Sequence, residues 1–494
     1  MLQDQTTSVP PEQFPASPTE TTKLHSPGYV INHSELTPKI WGLWLITGAG
    51  FALDGFDLFV IGIAFPLLMR YFPELIGNPM LLGLLGAAAP IGAVVGASVF
   101  GRLTDTLGRK IISVMNMVFF IIFATLSALS WSVWSLIIFR FMAGIGMGGE
   151  YPVNSAYIAE IIPKKHRKKM QVGNFSFQAI GAVSGALVGY IILNAIPEMW
   201  TWRLMIGCQA VFSLVLFFFR LRMPESSKWL ASQGRKDKAA ATLTIITGDK
   251  REIKEPHKKK SKFTDIFSQE YLKVTILSSI PWFLMDIAFY GIGIFTPIII
   301  THLFKHVPMD NIIERDIFSI KSTMLVESFL LVGILLAILL IKRVGMMNLQ
   351  VKGFWGMGIG MLILMLTQFV PNQLLFNVLA FCGFILFYLC LNAGPNPMSF
   401  LIPARIFPTK IRATGHGFSA AFAKAGATLG ILFFPWMQLK FGVTFTVFLM
   451  AMVCFAGAII TQVFVKLIIR DKRAVKLFEK AIQDKTKSKH AKTV

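Results

Sequence analysis

Asp286 stands inside WFLMDIAFYG, Trp282–Gly291, with no other charged residue between Lys273 and Lys305. An unpaired acid at the centre of a membrane helix costs about 2.5–3.5 kcal/mol on insertion scales, so it is expected to face protein or water and not lipid. Trp282 lies one helical turn before it on the same face. An aromatic beside an acid at that depth suits a substrate or proton site. Lys424, in FSAAFAKAGATLG, is its counterpart of opposite charge. It is the only Lys or Arg between Ala413 and Gln438, set among small residues and too deep to snorkel easily. It reads as a buried ion-pair partner of Asp286, or as a cation that meets an anionic substrate and exchanges partners. The two readings are compatible.

Further acids lie in other apolar stretches. In LDGFD, Asp54 and Asp57 are three residues apart and share a helix face. Either could take up a proton, or one could merely cap a polar seam. GIGMGGEYP, Gly144–Pro152, carries four glycines, which let another helix approach closely, followed at once by Glu150 and Tyr151. An acid beside them at membrane depth points to proton coupling. Asn396 sits in GPNP, where Pro395 and Pro397 disrupt helical hydrogen bonding and expose backbone groups to a cavity. Arg140 and Glu327 fall nearer the ends of their stretches, where gating or packing roles suffice, and His416 is ambiguous. GRLTDTLGRK, Gly101–Lys110, offers glycines for a tight turn at Gly101 and Gly108. Its Asp105 and Arg109 could pair with neighbouring helix ends and latch one conformation; the plainer reading is a basic solvated loop.

The elements that must position these groups follow from composition. Of 494 residues, 54% are hydrophobic and only 15% charged, and the mean hydropathy is +0.61. That balance lies outside the range of soluble domains. Twelve apolar runs, from 41–69 to 443–469, recur along the chain. Each is long enough to cross the roughly 30 Å of hydrocarbon in a bilayer. An all-α, polytopic membrane protein is the expectation. The net charge of +22 could invite a nucleic-acid partner, but its distribution argues against one. Lys and Arg collect in alternate loops: Arg102, Arg109 and Lys110, then Lys164–Lys169, the 222–272 linker, Lys342 and Arg343, Lys410 and Arg412, and the tail from Arg470. The loops between, such as 131–134 and 371–373, nearly lack them. By the positive-inside rule the basic loops and both termini are cytoplasmic, with some attraction to anionic lipid headgroups. Residues 1–38 and 470–494 read as disordered tails, the first without a cleavable signal pattern. Cys208, Cys382, Cys390 and Cys454 all fall inside spans without metal or disulfide spacing. No metal-ligand cluster, nucleotide-binding glycine loop or nucleophile arrangement points to an enzyme or a cofactor.

The polar linker 222–272 divides the spans into residues 39–221 and 273–469, six spans each. The halves repeat. AEIIPKKHR, Ala159–Arg167, matches ARIFPTKIR, Ala404–Arg412, at five of nine positions, and IGIxxP recurs at Ile61–Pro66 and Ile292–Pro297. Gly345 weakly echoes the glycine before Arg109. Such parallel repeats imply a site between the halves near the midplane. Counting from the paired prolines brings Tyr151 and Asn396, Gln178 and Lys424, and Asp54 and Asp286 to matching depths.

The spacing Gly-x-x-x-Asp-x-x-Gly-Arg-Lys between the second and third spans resembles the signature of the major facilitator superfamily, and MPESSKW, Met223–Trp229, resembles a segment of its sugar-porter-like branches. WFLMDIAFYG, the Glu-Tyr-Pro after the glycines, NAGPNPMSF (Asn392–Phe400) and GHGFSAAFAKAGA (Gly415–Ala427) together resemble the phosphate:proton symporters of that superfamily. The resemblance implies two six-helix pseudo-symmetric bundles and import of phosphate with protons by alternating access, in a plasma or bacterial inner membrane. It implies a substrate site of Tyr151, Gln178, Trp282, Asp286, Asn396 and Lys424, with proton transfer by Asp54 or Asp57 and Glu150. Departures are Glu150 where the family has Asp, Asn116 where many members carry an acid, and Arg405 where many have Glu. LDGFD also looks like aromatic-acid:proton symporters. Another small organic anion, a sugar, or a non-transporting nutrient sensor are the alternatives. No oligomer is required.

Overall fold

The computed structural model describes residues 26–248, 263–303, 312–407 and 411–470, and among them it is helical without strands. Ten helices are long and apolar enough to cross a membrane. One full-length helix, Val133–Ile161, falls outside that ten because Arg140, Glu150 and its glycines lower its hydropathy. The element Arg412–Arg470 is two helices, divided where Gly442 adopts φ 83°. The described residues therefore hold twelve long helices: α1 Pro38–Tyr71, α2 Pro79–Leu107, α3 Arg109–Ala128, α4 Val133–Ile161, α5 Arg167–Ala195, α6 Met199–Leu221, α7 Leu272–Leu303, α8 Ile312–Leu340, α9 Met346–Leu366, α10 Gln373–Ile406, α11 (412–441) and α12 (443–470).

Local chemistry sets their ends. Thr37 and Asn78 cap α1 and α2 by accepting from Ile40 N and Leu81 N, each with proline at the first helical position. Gly108 (φ 106°) and Gly345 (φ 87°) turn the chain into α3 and α9. The weak echo between the halves is thus a shared backbone conformation that glycine adopts without strain. Within α10 the helix breaks at Gly394, directly before Pro395, as the GPNP stretch anticipates.

The glycines of α4 make a two-sided interlock with α2. A Cβ at Gly144 or Gly148 would run into the backbone of Ala89 or Ala93, and one at Gly92 or Gly96 into that of Phe141 or Ile145. Small residues at both surfaces let the two backbones touch, which is how membrane helices gain packing without a hydrophobic drive between them. The first six helices form one bundle and the last six another. They meet along α2 and α11, α5 and α8, and α1 and α7.

One expectation changes. Residues 27–33 are helical, not part of a disordered tail: Ser26 caps the turn, Pro27 starts it, and Val30 and Ile31 bury against Trp229, Leu230 and Leu243. The parts of the linker that are described fold into the short helices Ser227–Ser232 and Lys236–Thr247 and the turn Phe263–Phe267. Lys410 and the tail beyond residue 470 lie outside the described residues.

The interlock makes a prediction. Gly148→Val should destabilise the protein by about 1–3 kcal/mol, the usual range for overpacking, seen as a lower melting temperature in detergent. An unchanged melting temperature would mean that α2 and α4 can part without loss.

Candidate functional site

The site begins with a face of α7. Trp282, Asp286 and Tyr290 recur every four residues, so they share that face. All three are buried, at 1% exposure each. Opposite them α11 supplies Lys424, also 1% exposed. Its Nζ donates to Asp286 Oδ2 at 3.2 Å and to Tyr290 Oη at 2.8 Å. The ammonium also lies over two rings, 4.3 Å from the Tyr290 centroid and 4.9 Å from that of Tyr151, within the range of cation–π attraction. Tyr151 comes from α4 in the other bundle. Gln178 of α5 joins the two sides: its Nε2 donates to Tyr151 Oη at 3.0 Å and to Tyr290 Oη at 3.1 Å. Trp282 packs edge-on to Phe400 and His416. Tyr151, Gln178, Trp282, Asp286 and Lys424 thus gather across the seam between the bundles. Among the described residues no hydrogen bond ties Asn396 to this group: its amide donates to Asn392 Oδ1 at 2.7 Å, in the same helix.

Aromatic layers close the seam on both sides. Toward the basic loops Phe175 of α5 stacks on Phe400 of α10 at 4.5 Å, with Phe51 of α1 edge-on to both. Toward the opposite face Phe59 meets Phe289, and Phe65 stacks on Phe295 at 5.3 Å. Beyond them Arg70 of α1 pairs with Asp316 of α8. The cluster is occluded.

The three coupling candidates have different surroundings. Glu150, fully buried, receives Arg220 Nη1 and Nη2 at 2.6 Å each, Asn116 Nδ2 at 2.8 Å and Asn154 Nδ2 at 2.9 Å. It is not an isolated acid among glycines: it is half of a bidentate ion pair. Gly50 of α1 makes room for that pair, since a Cβ there would collide with both the guanidinium and the carboxylate. Asp57 is likewise held, by Arg140 at 3.2 and 3.1 Å. Asp54 lies between the two pairs, fully buried, with neither carboxylate oxygen hydrogen-bonded. The charges around it are Glu150, Lys424, Arg220 and Asp57.

The turn residues form a staple inside the first bundle. Arg109 binds Asp105 at 3.0 Å, Glu160 of α4 at 3.0 and 3.2 Å, and the Thr104 carbonyl. Glu225, after α6, accepts from the first two free N–H groups of α3, those of Arg109 and Lys110. Burial raises the Glu225 carboxyl above its ordinary range, while the N–H donors of Ser226, Lys110 and Arg109 pull the other way. The tight turn is made at Gly108 alone. Gly101 lies within α2, with only ordinary contact to Pro152, so it does not shape the turn.

Sequence reasoning misses Tyr290 and Arg220. The first is findable, since it stands one turn beyond Asp286 in the same stretch. Arg220 stands at the end of the apolar run of α6, where nothing in the local pattern marks it as a partner of Glu150. Arg140, expected only to gate or pack, is the partner of Asp57. Among the described residues no group of three or more His, Cys, Asp or Glu could hold a metal ion.

Comparison with known proteins accords with this architecture. Residues 44–469 match the family model described as "Sugar (and other) transporter". The chain is 28% identical over 426 residues to the putative inorganic phosphate transporter 1-13 of Oryza sativa subsp. japonica, covering 80% of this chain and 83% of that one. It is 29% identical over 435 residues to the low affinity inorganic phosphate transporter 3 of Petunia hybrida, covering 78% and 80%. Its fold is similar to that of the E. coli xylose transporter in a partially occluded inward open conformation, with TM-score 0.74, 21% identity, and coverage of 87% and 98%.

Removing one partner of a buried ion pair typically costs about 3–5 kcal/mol. Arg220→Leu should therefore destabilise the protein by that order, and Arg220→Leu with Glu150→Gln should recover most of the loss in thermal or denaturant melts. Equal stability of the single and double variants would contradict the pairing.

Proposed function

The chain belongs to the sugar (and other) transporter family of membrane carriers, and on that premise we propose that it imports inorganic phosphate together with protons by alternating access. The observation that carries this is Lys424, a fixed cation buried where the two bundles meet, held by Asp286 and the Tyr290 hydroxyl and lying over the Tyr151 ring, with the Gln178 amide on both tyrosine hydroxyls. A neutral sugar gains little from a buried ammonium, whereas an oxyanion takes charge-assisted hydrogen bonds from it. The named relatives among phosphate transporters support the same substrate.

Phosphate entering the cluster competes with Asp286 for Lys424, while the O–H groups of Tyr151 and Tyr290 and the amide of Gln178 remain as donors. Partner exchange at Lys424 loosens the seam that Gln178 and Tyr290 hold across the bundles, and the aromatic layers then part on one face or the other as the bundles rock. The basic loops face the cytoplasm in this scheme.

Coupling falls to Asp54. Glu150 and Asp57 would each have to break an arginine pair to exchange a proton, whereas Asp54 has no partner to lose and senses Lys424 across the seam. The arginine pairs keep the acids beside Asp54 compensated, so binding and release of its proton need little rearrangement.

Uptake of labelled phosphate into proteoliposomes under an imposed pH gradient tests the function. Accumulation that collapses with the gradient is expected; uptake indifferent to pH, or competed by xylose and not by phosphate, would contradict it. Each coupled proton supports about tenfold accumulation per pH unit. Asp54→Asn should lose that factor yet retain exchange of internal for external phosphate. If Asp54→Asn accumulates phosphate as well as the parent, the coupling acid lies elsewhere.

A further inference from the structure

Glu327 of α8 is buried at 1% exposure, its Oε2 has no hydrogen-bond partner, and no cation faces it among the described residues. The first bundle supplies an arginine to two of its buried acids; the second leaves this one alone. From α10 the titratable group facing it is Tyr388, whose hydroxyl is engaged at 2.7 Å with Thr296 of α7. Among the described residues, Arg70 of α1 pairs with Asp316 and Tyr190 of α5 lies beneath Lys321, both elsewhere along the helix.

Glu327 ends a line. Asp316, Ser319, Thr323 and Glu327 follow at spacings of three and four, so they share one face of α8. Their exposures are 2, 0, 0 and 1%. At the end away from the basic loops the line begins at the Arg70–Asp316 pair. Ser319 donates to the Pro297 carbonyl of α7, but Thr323 Oγ1 has no partner, like Glu327 Oε2 one turn on. Below Glu327 the Leu330 carbonyl accepts from Asn392, which in turn accepts from Asn396. A membrane helix that buries four polar side chains in file and leaves two unsatisfied is built to be wetted, since water is the partner such atoms otherwise lack.

We propose that Glu327 is a proton-binding site of the second bundle, loaded along the Asp316–Ser319–Thr323 line from the face opposite the basic loops. Closed off without a cation, the carboxyl stays neutral. Its proton arrives from water when the Arg70–Asp316 end opens and leaves to water when the other face does. This rests on the carrier being proton-driven, and it adds a second proton to the one at Asp54.

Glu327→Gln imitates the protonated acid in size and hydrogen bonding, and exchange activity in the same proteoliposomes shows that it is folded. It should keep phosphate exchange and lose about tenfold in phosphate accumulation per pH unit of gradient. Infrared difference spectra should lose one carbonyl band of a neutral carboxylic acid. Thr323→Val should keep that band but slow pH-driven uptake. If Glu327→Gln accumulates phosphate like the parent, or loses no carboxylic-acid band, this inference falls while the coupled-carrier proposal stands. A parent protein that ignores the pH gradient overturns both.

Discussion

A charge held away from water must be answered by other groups, and Lys424 is the charge around which this molecule is arranged. It lies on the seam between two bundles, so groups from both must answer it: Asp286 and Tyr290 from one, the ring of Tyr151 from the other. Because Gln178 bridges both tyrosine hydroxyls, whatever displaces a partner of Lys424 also disturbs the link between the bundles. In the proposed scheme, substrate binding and conformational change share the same few hydrogen bonds. The aromatic layers on either side keep water from screening them, which in a low-dielectric site strengthens every interaction within.

The acids divide by what faces them. Glu150 and Asp57 are locked by Arg220 and Arg140, and pairs of that kind hold α1, α4 and α6 in register more than they titrate. Asp54 and Glu327 have no such partner. A membrane protein tolerates an unanswered carboxyl when the residue has work that a permanent ion pair would prevent, and among the described residues each bundle carries one. The Gly50 contact explains why α1 can press against the Glu150–Arg220 pair without displacing it.

Much of this was legible in the sequence because lipid imposes simple rules. Spans, alternating basic loops and the internal repeat required only hydropathy, charge and short matches, and the α2–α4 interlock was announced by the glycines before Glu150. The gathering of Tyr151, Gln178, Trp282, Asp286 and Lys424 followed from paired depths plus family motifs. What stayed hidden was pairing. Whether Glu150 stands alone depends on Arg220, far along the chain on another helix, and no local pattern reports that. Asn396 has the right depth, but its amide turns to Asn392, a choice of rotamer that sequence does not reveal. Glu327 looked peripheral because its helix begins well before the apolar run does, at Ile312, which sets the acid at mid-helix.

The central claim is that a buried lysine on the bundle seam binds a phosphate anion, and equilibrium binding of phosphate to the purified protein tests it most directly. A charge-assisted hydrogen bond contributes about 1.5–3 kcal/mol, so Lys424→Ala should weaken phosphate binding by about tenfold to a hundredfold, with Lys424→Arg weakened less. Equal affinity in the parent protein and Lys424→Ala would remove the lysine from the site and contradict the account.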